Sequence, residues 1–130
     1  MSSFLHSEER YGIVVHGGAG VMSELSEERQ QEIHKKIQET VSEAYKILEK
    51  GGSSLDAVEL AVSMLEDSPL FNAGRGSVYN SDEVQEMDAS IMDGKSRLSG
   101  AVASVTIVKN PIKLARKVAE ETKHVLLMGE

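Results

Sequence analysis

Apolar residues recur at helical spacing in two adjoining stretches of the chain. In the first, Ile33, Ile37, Val41, Ala44, Tyr45 and Leu48 share one face, and Gln, Glu and Lys occupy the other. Ser26 ahead of Glu27 and Glu28 marks its start: a hydroxyl able to cap, then two acids where the helix dipole favours negative charge. Gly51 ends it as a C′ residue. In the second stretch, Leu55, Val58, Ala61, Val62 and Leu65 form the stripe. Ser53 with Asp56 resembles a loose capping box there, and Pro69 closes the helix. Two consecutive amphipathic helices make one layer.

Elsewhere the period is shorter. Tyr11–His16 is mostly β-branched, reads as a short buried strand, and stops at the glycine run Gly17-Gly18-Ala19-Gly20. Gly76–Tyr79, Val84–Met92 and Gly100–Val108 read as further strands, parted by polar stretches at Asn80–Glu83 and Asp93–Ser99. Asn110-Pro111 supplies an N-cap and an N1 proline for a third helix through Leu114, Ala115 and Val118. Val125–Met128 is a last short strand. The predicted order is β, α, α, β, β, β, α, β. That order argues for an α+β fold, with helices layered on a mainly antiparallel sheet. Residues 1–10 read as a loose arm, and 1–130 as one domain without an internal linker.

Composition narrows the function classes. Fourteen Lys+Arg against twenty-one Asp+Glu give a net charge of −7, which argues against nucleic acid and against an anionic membrane surface. No apolar run approaches the roughly 20 residues that span a bilayer, and the polar start shows no secretory signal. Zero Cys removes disulfides, thiolate metal sites and cysteine nucleophiles, and points to a cytoplasmic protein.

The glycine loops fail the phosphate-binding patterns. Gly94-Lys95-Ser96 lacks the earlier Gly of a Walker loop, because Ala89 stands there. Gly18-x-Gly20 is followed by Ser23, and Gly74-x-Gly76 by Tyr79, where a dinucleotide fingerprint requires Gly. Asp88, Ser90 and Asp93 do not meet the calcium-loop spacing, and acids such as Glu86 and Asp88 ordinarily form a solvated strand face. Of the His at 6, 16, 34 and 124, only His16 stands where a site is usual, beside glycines at a strand end. A structural His bonded to backbone is the other reading of it. No GxSxG elbow is present.

Four segments together resemble a known family. They are Val14-Val-His-Gly-Gly-Ala-Gly20, Leu65-Glu-Asp-Ser-Pro-Leu-Phe-Asn-Ala-Gly-Arg-Gly-Ser77, Glu86-Met-Asp-Ala-Ser-Ile-Met-Asp-Gly94, and Gly100-Ala-Val-Ala-Ser-Val followed by Lys109–Val118. In this order and spacing, from about Gly12 to Glu130, they resemble the plant-type L-asparaginases, also called isoaspartyl aminopeptidases or β-aspartyl peptidases. The resemblance implies an N-terminal-nucleophile hydrolase with an αββα sandwich, cut from a precursor into an α part and a β part. The β part opens with a Thr that serves as its own base and attacks the amide of Asn or an isoaspartyl bond.

The chain has only Thr40, Thr106 and Thr122, preceded by Glu39, Val105 and Glu121, so the Gly-Thr cleavage junction is absent. Thr40 falls in a predicted helix and Thr106 in a predicted strand. The chain is therefore expected to be the α part, half of the sandwich, inactive without a β subunit that begins with Thr. The resemblance sets His16, Gly17 and Gly18 against that Thr and brings Asn72 to the same centre. It also implies a structural sodium ion on the main-chain carbonyls of Leu65, Glu66, Ser68, Phe71, Ala73 and Arg75, a small-molecule substrate (asparagine or a β-aspartyl dipeptide), and an (αβ)2 assembly. Glycosylasparaginase and the taspase-like endopeptidases are near alternatives; zero Cys speaks against the first. A non-catalytic scaffold subunit is the alternative from another class.

Overall fold

The computed structural model describes residues 11–129. The predicted arm at 1–10 lies outside the described residues. The elements are α1 (Glu27–Glu49), α2 (Ser54–Glu66), β1 (Met87–Met92), β2 (Ser99–Val105), α3 (Pro111–Glu121) and β3 (Leu126–Met128), with 3-10 turns at Met22–Glu24 and Gly74–Gly76. The class is α+β, with three helices and a three-stranded sheet among the described residues.

Local chemistry sets the helix ends. The Ser26 hydroxyl accepts from Arg29 N at 3.2 Å and starts α1. At its other end Gly51 N donates to Leu48 O and Gly52 N to Ile47 O, both at 2.9 Å, which is the paired bonding of a Schellman stop. Ser53 starts α2 by accepting from Asp56 N at 3.1 Å while donating to the Asp56 carboxylate at 2.7 Å. α1 and α2 pack together, and several of their buried positions are small: Thr40 and Ala44 on one, Ala57 and Ala61 on the other.

The sheet order is β1-β2-β3, with β1 antiparallel and β3 parallel to β2. The longer β1–β2 ladder is antiparallel as expected, and the short β3 adds a parallel edge that the sequence did not indicate. β1 and β2 form a hairpin, but the chain returns to β3 through α3, and such a crossover delivers a parallel strand. α3 lies on one sheet face, where Met87, Ile91, Val102 and Val105 meet Ile112, Ala115, Val118 and Ala119 in the larger core. Contact is closest at Gly100, where an added Cβ would run into Ala115 O and Ala119 N. A smaller core of Ile33, Leu65 and Phe71 joins α1 to the loop after α2, with Val15, Met22, Ile37 and Leu70 packed around it.

Several predicted strand segments are not strands. Tyr11–His16 has no ladder, although Ile13 and Val15 are half-buried and Val14 between them is 95% exposed. It keeps the alternation of a strand but pairs with no neighbour among the described residues. Gly76–Tyr79 begins in a 3-10 turn and continues as exposed loop, residues 84–86 precede β1, and 106–108 follow β2. Thr106 therefore sits just beyond a strand rather than in one. No helix among the described residues is long and apolar enough to cross a membrane.

Candidate functional site

The glycine loop and the loop after α2 meet at one cleft of about 790 Å³. His16, Gly17, Gly18 and Asn72, the four residues singled out in sequence as supporting a nucleophile, all line it. The juncture is tight at Gly17: a Cβ there would lie 2.8 Å from Ile37 Cδ1 and 3.1 Å from Phe71 Cε1. A side chain at this position would have to push the Ile37 end and the Phe71 ring aside. His16 Nδ1 accepts from Gly18 N at 3.2 Å, and Gly18 has φ +120°. The imidazole is thus bonded to backbone and braces the turn, and the residue is exposed.

Asn72 is held by its own loop. Its Oδ1 accepts from Val78 N at 3.0 Å, which fixes the amide plane and leaves Nδ2 without a protein partner among the described residues. An anchored amide of this kind can present a donor to a ligand without first losing side-chain freedom. His34, read from sequence as the exposed side of a helix, is exposed and also lines the cleft. The available signal was its spacing: it adjoins Ile33 and lies three residues before Ile37, both of which line the same space.

The six carbonyl positions divide into two groups. Leu65, Phe71 and Ala73 line the cleft, whereas Glu66, Ser68 and Arg75 do not. Leu65 O accepts from Ser68 N at 3.1 Å, Phe71 O from Ala73 N at 2.9 Å, and Ala73 O from Gly76 N at 3.0 Å. The carbonyls of Ser68 and Phe71 converge beside Gly76, and that of Glu66 lies 2.5 Å from where a Gly74 Cβ would stand. The loop is wound closely enough to turn several carbonyl oxygens inward. No group of three or more His, Cys, Asp or Glu able to hold a metal occurs among the described residues.

Sequence reasoning missed the Glu66 side chain. The residue is 2% exposed, and its Oε1 accepts from Ile112 N at 2.9 Å, so a carboxylate from the end of α2 caps the start of α3. Burial pushes its carboxyl above the usual range against the opposing pull of that amide. Its Oε2 is buried without a partner among the described residues. Asn110 stands at the N-cap of α3 as expected, but its side chain makes no capping bond and donates from Nδ2 to Asp67 Oδ1 at 3.1 Å. Lys109 pairs with the same oxygen at 2.9 Å, and these two partners hold the Asp67 carboxyl below its usual range. Across a 46-residue separation, only the tertiary fold could reveal the Glu66 cap.

Known proteins share this arrangement of segments. The sequence profile of a family described as Asparaginase matches residues 9–130. A plant-type L-asparaginase of Pyrococcus furiosus is 56% identical over 118 residues, covering 91% of this chain and 38% of that protein. Isoaspartyl peptidase/L-asparaginases of Rattus norvegicus and Homo sapiens are 52% and 50% identical over 117 and 118 residues, covering 90% and 91% of this chain and 34% and 38% of those proteins. The chain thus spans little more than a third of the length of the curated relatives it matches. With the family profile covering the cleft, both loops and the whole sheet, the chain belongs to the asparaginase family.

Proposed function

We propose that the chain is the α part of a self-processing threonine amidohydrolase, which converts L-asparagine to aspartate and ammonia and splits β-aspartyl dipeptides. The observation that carries this is the convergence of the His16–Gly20 loop and the anchored Asn72 on one cleft. Neither loop brings a nucleophile of the required type. Thr40 is buried within α1, Thr106 follows β2, and Thr122 terminates α3, where its hydroxyl donates to Val118 O at 2.8 Å.

The nucleophile belongs to a β subunit beginning with Thr. Its hydroxyl attacks the substrate amide carbon, its α-amine takes the proton, ammonia or an amine leaves, and water releases the aspartyl group. The chain's own residues shape the place where this occurs. Gly17 lets main chain approach the reacting centre, His16 holds the turn in one form through Gly18 N, and Asn72 orients a hydroxyl or carbonyl by its Nδ2. Two features support completion into an αββα sandwich. Residues 11–16 alternate like a strand that lacks a neighbour, and the sheet face opposite α3 exposes Asp88, Ser90 and Met92. Pairing of two αβ units follows from the family resemblance, and a cytoplasmic setting from the absence of Cys.

A structural sodium ion fits the loop after α2. The carbonyls of Leu65, Glu66, Ser68, Phe71, Ala73 and Arg75 would hold it. The carbonyls gathered by the close winding of that loop favour a nearby positive charge. Exchange of sodium for caesium is expected to lower the melting temperature, and an unchanged value contradicts the site.

The activity is tested by reconstitution. The chain alone is expected to release no ammonia from asparagine, and co-expression with a β part beginning with Thr is expected to restore release. In that complex Asn72→Ala should lower kcat about a hundredfold. Enzyme-like turnover by the chain alone, or none by the assembled complex, contradicts the proposal.

A further inference from the structure

The hairpin joining β1 and β2 turns at an Asp-Gly pair whose chemistry the proposed reaction does not use. Both main-chain groups of Asp93 close the hairpin: its N–H donates to Leu98 O and its carbonyl accepts from Arg97 N, each at 2.8 Å. Its side chain reaches forward along the chain. Oδ1 accepts from Lys95 N at 3.2 Å, and Oδ2 accepts from Ser96 N at 2.9 Å and from the Ser96 hydroxyl at 2.5 Å. The carboxyl is thereby held within the turn that contains the Gly94 peptide. Gly94 is exposed, and a Cβ added there would meet nothing within 4 Å. Glycine itself offers no side chain to hinder attack by its nitrogen.

We propose that Asp93-Gly94 is a covalent ageing site, where the main chain passes through a succinimide to isoaspartate, and that the Ser96 hydroxyl slows this passage. In the first step the Gly94 nitrogen bonds to Asp93 Cγ. The side-chain hydroxyl departs as water together with the amide proton, which closes a five-membered ring. In the second, water adds at the Asp93 main-chain carbonyl carbon and breaks its bond to the Gly94 nitrogen. The chain then runs through Cβ and Cγ. One water leaves and one enters, so the mass is unchanged.

Ser96 opposes the first step twice. A carboxyl loses its oxygen as water only when protonated, and the Ser96 hydroxyl, followed by the amides of Ser96 and Lys95, holds this group ionised below the usual carboxylate range. The same hydroxyl accepts from Leu98 N at 3.2 Å and so fastens both sides of the turn. The product also matters to the fold. Isoaspartate lengthens the backbone by one carbon between Asp93 Cα and Gly94 N and turns the bonded main-chain carbonyl of Asp93 into a free carboxylate, and the closure of the β1–β2 hairpin cannot survive that unchanged.

The test ages the folded protein in neutral buffer at physiological temperature and maps its peptides with electron-transfer fragmentation, which separates the two isomers. Isoaspartate is expected at residue 93 above the level at Asp82 and Asp88. Ser96→Ala, checked for folding by circular dichroism, should accumulate it about tenfold faster, the factor for losing a hydrogen bond to a charged group. Gly94→Ala, which the open space accommodates, should accumulate it more slowly than the parent. No excess at residue 93 in the parent, or a Ser96→Ala rate no greater than the parent's, overturns the proposal.

Discussion

β2 has a strand on each edge and α3 across one face, whereas residues 11–16 have the same β-branched character and no strand beside them among the described residues. In β2 the buried Gly100, Val102 and Val105 face α3, and the backbone bonds run to β1 and β3. In the 11–16 strip, Ile13 and Val15 rest on the protein while Val14 stands in solvent. The difference teaches that side-chain alternation fixes which face a segment buries, but only a neighbour makes it a strand. The sheet and α3 hold each other in place, and the strip and the cleft beside it have one side still open.

Substitutions can break the self-sufficient side of this comparison. Gly100→Val should cost the most, on the order of 3 kcal/mol, because the new side chain has to displace α3 from β2. Denaturant unfolding would register it as a fall in midpoint. Glu66→Ala should cost about 2 kcal/mol by leaving Ile112 N uncapped under a buried void, while Glu66→Gln keeps an acceptor and costs less.

The same residue gives a pH signature. Burial raises the folded carboxyl above the usual glutamate value of 4.5, so the folded state binds this proton more tightly than the unfolded chain. Its contribution is complete below 4.5 and is lost as pH rises through the raised folded value. A pH series of unfolding midpoints should show this decline in the parent protein and not in Glu66→Gln. Smaller again is Ser26→Ala, about 1 kcal/mol from one lost helix cap. Val14→Asp sharpens the other side of the comparison. It should change the stability of the isolated chain by less than about 0.5 kcal/mol, yet impair assembly with a β part.

The helices were legible in sequence because their signals are local. Apolar spacing, Ser26, Ser53, Gly51 and Pro111 act within a few residues, and α1, α2 and α3 formed where they indicated. Strands were legible only where a partner is present. Met87–Met92 and Ser99–Val105 pair with each other, while the segments at 76–79, 84–86 and 106–108 have the composition of strands without the ladder. The parallel pairing of β3 was not visible, because it depends on the path of α3 over the sheet. At the site, motif order brought His16, Gly17, Gly18 and Asn72 to one cleft. The Glu66 cap was hidden, since it depends on residues brought close only by folding, whereas the place of His34 beside Ile33 and Ile37 carried a local signal.

Amide hydrogen exchange at Ile13, Val14 and Val15 tests most directly whether an absent neighbour completes this half-built edge. The predicted result is fast exchange in the isolated chain and strong protection once a β part is bound. Protection in the isolated chain, or fast exchange in both states, would contradict the account.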